Sequence, residues 1–249
     1  MGEERLPHGQ PGCHGHEWRR SHSRGLTEVS LKDYLCCVAA IDENVERLLD
    51  YVDKAGIGHD TVAIYTSDQG MFLGEHKYYN KRLMYEESLR MSLVVQYPRE
   101  IPAGSTNGDL ILNLDLPETF LNYAGAPLPG HMPGRRARAA LAGQAPADWR
   151  TSMYYRYWMH EMRPAHYGIR TGHYKLIFFY GRDVLGQTRA PATRAGWELY
   201  DMEPYPYDTH NVYHDPAYAE VVSELKTELN RLRSEIGATD ANYPELVAL

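Results

Sequence analysis

The sequence predicts an α/β protein: a partial open sheet with flanking helices, followed by a small α+β subdomain in which an antiparallel sheet packs against one long helix. Three features predict it. A long amphipathic helix over 31–52 runs through a short turn into the β-branched run 61–66. That is the helix-to-strand half of a βαβ unit, and it predicts a parallel sheet. Four aromatic-rich runs between Met153 and Asp201, joined by glycine-containing turns, read as antiparallel strands. A single apolar stripe after Asp215-Pro216 then marks a closing helix.

In the first helix Leu31, Tyr34, Leu35, Val38, Ile41 and Val45 recur at i, i+3, i+4 and i+7. Ser30 is a candidate N-cap and Gly56 a candidate residue beyond the C-terminus. Cys36 and Cys37 lie on or beside the stripe and read as small packing residues. A second strand, 93–97, is stopped by Pro98. Pro117 opens a helix that Gly125 closes after Tyr123, with Asp115 as its cap. Residues 126–148, rich in Pro, Ala, Gly and Arg, read as a linker or long surface connection. The strands of the second part are predicted at 153–158, 166–170, 174–180 and 197–201. In the last helix Tyr218, Val221, Val222, Leu225, Leu229 and Leu232 share one face. The domain organisation is therefore an irregular N-terminus (1–29), an α/β part (30–148) and an α+β subdomain (149–249).

With 249 residues, 43% of them hydrophobic and 24% charged, the chain is long enough to bury a core. A formal charge of −7 argues against a general nucleic-acid or anionic-membrane binder. No stretch is apolar enough to span a bilayer. The first residues lack the apolar core of a signal peptide, so the sequence assigns no compartment. Cys13, His14, His16 and His22 fit no standard zinc spacing. There is no P-loop and no GxGxxG motif.

The densest chemistry lies in YTSDQGMFLGEHKYYNKRLMYEESLR, Tyr65 to Arg90. A hydrophobic strand delivers an acid, an amide, an imidazole and an ammonium group into one loop, and ligands of open α/β sheets sit beyond such strand ends. Asp68 and Gln69 are oxygen donors suited to a hard cation such as calcium or magnesium, or else a turn cap and a backbone-bonded amide. Lys81 can stabilise the charge that develops on an ester of sulfate or phosphate, with Lys77 and Arg82 as rival assignments. His76 can protonate a leaving oxygen or bond an anion. His160, Arg163, His166 and Arg170 form a later polar group, and an arginine there suits an anionic sugar substituent.

Ser67-Asp68-Gln69-Gly70, Gly74-Glu75-His76 and Lys81 followed by Tyr85-Glu86 resemble the metal-binding stretch of the sulfatases, a branch of the alkaline phosphatase superfamily. The resemblance runs on through LNLDLPETFLNYAGAPLPG, HYGIRTGHYKLIFFY and ELYDMEPYPYDTHNVYHDPAYAEVV, about residues 30 to 236, and is to the C-terminal portion of the N-sulfoglucosamine and iduronate-type sulfatases. Residues 1–29 are not similar to the family. The resemblance implies an alkaline-phosphatase-like fold and hydrolysis of sulfate esters, with sulfated small molecules or glycans as partners. It implies Asp68 and Gln69 as ligands of a divalent metal, usually calcium, with Lys81 on the sulfate, His76 beside it and His166 and Arg170 bordering the pocket. Relatives are often exported. Sulfatases also use a formylglycine made from the Cys or Ser of C/S-x-P-S/A-R; none of the three cysteines here has x-Pro-x-Arg after it. The expectation is a C-terminal fragment without its nucleophile and inactive alone. A phosphodiesterase or phosphonate hydrolase of the same superfamily, and a non-catalytic glycan-binding remnant, are the alternatives.

Overall fold

The computed structural model describes residues 24–160, 163–183 and 191–240. They form two compact units. One holds the described residues up to Asn80 together with Arg90–Thr151; the other holds Lys81–Leu89 and the described residues from Ser152 onward.

The first unit begins with α1 (Arg24–Lys54). Ser30, expected at the N-cap, lies inside this helix. Its C-terminal turn ends at Gly56, whose φ of 70° is the left-handed geometry that glycine adopts without a Cβ penalty. The apolar stripe exists but is covered only in part: Leu35, Val38, Ile41 and Leu48 are exposed, whereas Val45, Leu49 and Val52 are half-buried. Cys36 and Cys37 are exposed too, so they are not packing residues. β1 (Ala63–Thr66) pairs with β4 (Leu93–Gln96) antiparallel, Ile64 opposite Val95 and Tyr65 opposite Val94. The predicted parallel pairing does not occur among the described residues. No helical crossover separates these strands, only a long excursion containing the two-residue strands β2 (Phe72–Leu73) and β3 (Tyr79–Asn80) and the single turn α2 (Glu86–Leu89). A chain that turns back without a crossover pairs antiparallel.

α3 (Leu116–Tyr123) carries proline in its first turn, as its sequence dictates. The segment expected to be a linker or long surface connection is fastened to it. Gly134 N–H donates to Glu118 at 2.6 Å, Arg135 N–H to Asp115 at 2.8 Å and Ala137 N–H to the Thr119 hydroxyl at 2.9 Å. A Cβ at Gly134 would stand 2.1 Å from the Leu114 carbonyl, so only glycine permits this approach. α4 (Arg138–Leu141) follows, and Ala137, Ala140 and Trp149 form a small core. Asp115 is fully buried and caps Leu112 N–H at 2.7 Å while pairing with Arg150.

The second unit is a four-stranded antiparallel sheet in the order β5 (Ser152–Tyr157), β6 (His166–Thr171), β7 (Tyr174–Phe179), β8 (Gly196–Asp201), packed by α5 (Ala219–Glu235). All four strands fall where their aromatic runs predicted. Period-two alternation gives the sheet two unlike faces. Tyr167, Ile169, Leu176, Phe178 and Leu199 lie on the apolar face with Leu225 and Leu229 of α5. His166, Arg170, Lys175, Glu198 and Tyr200 point the other way, and the partners below show that the 82–88 segment lies against that second face.

Candidate active site

The loop after β1 carries the first candidates. Ser67 organises it: its hydroxyl donates to the Gln69 carbonyl at 2.7 Å. Asp68 is exposed and Gln69 half-buried. Beyond them β2 and β3 pair across a tight turn, Leu73 opposite Tyr79. Leu73 N–H donates to the Glu75 carboxylate at 2.6 Å, and Lys77 N–H returns to the Gly74 carbonyl at 3.0 Å. His76 sits in this turn with its ring edge-on to the buried Phe72, centroids 6.1 Å apart. These residues belong to the first unit; Lys81, half-buried, begins the second.

The backbone here is unusual. Of the five described non-glycine residues with positive φ, four are His76 (50°), Lys77 (64°), Asn80 (78°) and Arg82 (101°), and the fifth is Asp208 (49°). A side-chain-bearing residue in this region costs on the order of 1–3 kcal/mol, and such residues cluster at functional sites because surrounding contacts must hold them there. The concentration within 76–82 therefore marks the same stretch that the side-chain chemistry marks.

In the second unit, the polar face of the sheet holds the segment after Lys81. Arg82 donates its N–H to the Ser88 hydroxyl at 2.7 Å, and its carbonyl accepts from the Tyr155 hydroxyl at 2.9 Å. Met84 lies over Gly168, where a Cβ would approach its sulfur to 2.7 Å. Tyr85 donates to Glu198 at 3.0 Å, and so does Tyr200 at 2.8 Å. Glu86 N–H is capped by Asp208 at 2.8 Å. Lys175, fully buried, reaches Glu86 and both Asp208 oxygens at 2.8 Å.

Electrostatics follow from that packing. Burial alone would raise the Glu86 carboxyl, but Lys175 and Arg170 outweigh it and hold it at about 2. Burial pushes Glu198 up to about 7 against the pull of its two tyrosine hydroxyls. Its second oxygen has no partner among the described residues.

Two of the expected pocket residues are occupied otherwise. His166 is fully buried, stacked near Tyr155 and close to Phe179, and burial lowers its imidazole to about 4. Its Nδ1 lies 2.7 Å from the Pro164 carbonyl, an acceptor, so that nitrogen carries the proton. The enclosed ring has no surface to offer a substrate. Arg170 is engaged by Glu86, Nε to Oε1 at 3.0 Å and Nη2 to Oε2 at 3.4 Å. The partners Lys175, Glu198 and Asp208 were not anticipated. The signal was there: Lys175 and Glu198 are charged residues at face-matched positions inside otherwise aromatic strands. The Cys13, His14, His16 and His22 group lies outside the described residues.

Asp68 and Gln69 offer two adjacent oxygen donors, whereas a hard cation takes six or more oxygens. Among the described residues no three His, Cys, Asp or Glu side chains come together as a metal site. The described residues alone therefore do not fit a complete calcium or magnesium shell.

The mixed α/β fold is that of a partial alkaline-phosphatase-like domain. A family model described as "N-sulphoglucosamine sulphohydrolase, C-terminal" matches residues 74–235, and one described as "Sulfatase" matches residues 4–126. The chain belongs to the sulfatase family. The match from residue 4 also brings within the family the N-terminal stretch that its sequence alone had set outside it. The chain is 38% identical over 242 residues to an N-acetylglucosamine-6-O-sulfatase of Bacteroides thetaiotaomicron, covering 93% of this chain and 41% of the relative. It is 27% identical over 209 residues to a multifunctional alkaline phosphatase superfamily protein of Trinickia caryophylli, covering 77% of this chain and 38% of the relative. A solved structure of a protein in complex with its substrate D-glucosamine-2-N,6-O-disulfate matches with a TM-score of 0.75 and 39% identity, over 85% of this chain and 42% of the other. The chain thus spans about two-fifths of the length of these relatives.

Proposed function

We propose that this chain carries the sulfate-gripping part of a glycan sulfatase whose substrate class is sulfated glucosamine. The observation that carries the proposal is the 38% identity to a 6-O-sulfatase across 93% of the chain, which includes the whole of the strained loop. In this reading Lys81 places its ammonium against the sulfate, clamping the transferring group and balancing its negative charge. His76 bonds the sulfate or protonates the departing sugar oxygen. Asp68 and Gln69 would supply two of the oxygens of a divalent-cation shell, calcium first, which they do not complete by themselves. Arg170 acts through its grip on Glu86, and His166 acts as a core residue.

With no cysteine in a C-x-P-x-R setting, the chain by itself binds but does not turn over. Removing a nucleophile costs orders of magnitude in rate even when the rest of a site is intact. The test is calorimetry of the full chain with glucosamine 6-sulfate, glucosamine N-sulfate and unsulfated glucosamine, beside an aryl sulfate hydrolysis assay with calcium. Binding confined to the sulfated sugars, without hydrolysis, is the expected pair of results. Equal affinity for unsulfated glucosamine would overturn the sulfate assignment. Preference for a phosphodiester would move the chain to the phosphate-processing branch, and robust turnover would show that another residue attacks sulfur.

A further inference from the structure

Arg82 has the largest positive φ of the described non-glycine residues. Its φ of 101° lies beyond the left-handed helical well, in a region costly for any side chain with a Cβ. Strain of this kind persists only where neighbouring contacts leave the backbone no alternative. Both polar groups flanking the strained torsions are held. The N–H is taken by Ser88 Oγ at 2.7 Å and the carbonyl by Tyr155 Oη at 2.9 Å. Ser88 is itself fully buried in the turn α2, and Tyr155 stands on β5, a strand paired along its whole length with β6. The next residues are then pinned in turn: Met84 over Gly168, Tyr85 to Glu198, and Glu86 N–H to Asp208.

The residue preceding Arg82 is Lys81. A side chain leaves the backbone in a direction set by the torsions around it, and a long, flexible lysine stem needs a fixed root if its ammonium is to be presented repeatably. We propose that Tyr155 and Ser88 are positioning residues that lock Arg82 in its left-handed conformation and so fix the backbone from which Lys81 is presented. In what concerns sulfate, this rests on the role given to Lys81 above; in what concerns the backbone, it stands alone.

Two arms of one experiment separate these. In the full chain, amide hydrogen exchange is followed in the wild type, in Tyr155→Phe and in Ser88→Ala. Each variant removes a single hydroxyl from the pair. The expected result is exchange on the order of tenfold faster at Arg82 and Leu83, as befits one lost hydrogen bond, with the amides of β6 and β7 unchanged. Unchanged exchange at Arg82, or an equal rise throughout the sheet, would overturn the proposal. In the first case nothing is being locked. In the second the hydroxyls hold the subdomain and not the turn. If one variant fails to fold, the other decides.

The second arm reads Lys81 itself. With lysines carrying ¹³C-methyl labels and the Lys81 signal assigned by Lys81→Arg, glucosamine 6-sulfate is added to each protein. The wild-type signal shifts, and in Tyr155→Phe the shift needs on the order of tenfold more sugar. A wild-type signal indifferent to the sugar, with the local exchange effect present, would reject the sulfate role while leaving the positioning role intact. A full wild-type response retained undiminished in both variants would reject the positioning role.

Discussion

Glu198 and His166 stand on the same face of the C-terminal sheet, and their titrations oppose each other. Burial raises Glu198 from an ordinary 4.5 to about 7. A carboxyl whose folded value is raised contributes stability that is full below 4.5 and is lost as pH climbs through 7. Burial lowers His166 from an ordinary 6.5 to about 4. A base whose folded value is depressed contributes stability that is full above 6.5 and is lost as pH falls through 4. Between about 4.5 and 6.5 the two slopes have opposite signs. Thermal unfolding of the wild type is expected to change little across that window from these groups. Glu198→Gln leaves the histidine slope, so its midpoint rises with pH, and His166→Gln leaves the carboxyl slope, so its midpoint falls. Parallel profiles for the two variants would show that one of the groups titrates normally and is less enclosed than described.

Which of these residues could be read in advance follows from how each one works. Asp68, Gln69, His76 and Lys81 stand in a loop whose polar density interrupts a hydrophobic pattern, so they are visible one residue at a time. His166 and Arg170 are visible as polar residues in strands, but their environment is set by partners far along the chain. Glu86 is 84 residues from the Arg170 that holds it, and only the fold brings them together.

At the scale of elements, the sheet works as a plate with an oily side and an ionic side. The oily side takes α5 through Leu225 and Leu229. The ionic side takes the 82–88 segment through Glu198, Asp208, Lys175 and Arg170. Breaking a buried ion pair strands the remaining charge, at a cost of about 3–5 kcal/mol. Lys175→Ala leaves the buried Asp208 without its cation, beside a Glu86 still held by Arg170, and is expected to lower stability by that order in urea unfolding. Arg231→Ala, which removes exposed pairs to Glu228 and Glu235 on α5, is expected to cost no more than about 1 kcal/mol. Equal midpoints for the two variants would mean that the Lys175 cluster is not dry. The strands of this sheet were legible because alternation and aromatic runs are local signals. The antiparallel pairing of β1 with β4 was not, since strand direction depends on the excursion between them. The stapling of the 126–148 segment was missed for a related reason: side-chain acceptors on α3, remote in sequence, take its backbone N–H groups.

For the whole molecule, the largely exposed stripe of α1 is the outstanding feature. Leu35, Val38, Ile41 and Leu48 are 42–67% exposed, and Tyr65 and Val94, opposite each other on β1 and β4, are exposed as well. Exposed apolar side chains in this number favour association or aggregation in water. The full chain is expected to bind a hydrophobic dye and to scatter light increasingly with concentration. Replacing Leu35, Val38, Ile41 and Leu48 with glutamine should suppress both. A quadruple variant that scatters and binds dye like the wild type would place the sticky surface elsewhere. The helix itself was plain in the 3.6-residue period; its exposure was not, because a period says that one side is apolar and nothing about what lies against it.

Lys81 and its rival Lys77 are four residues apart, and sulfate binding distinguishes them. Glucosamine 6-sulfate should be titrated by calorimetry into the wild type, Lys81→Ala and Lys77→Ala. Loss of one charge-assisted contact predicts weakening by a factor of roughly ten to a hundred in Lys81→Ala, with Lys77→Ala within about twofold of the wild type. Weakening in Lys77→Ala with Lys81→Ala unaffected, or undiminished binding in both, would refute a sulfate contact at Lys81.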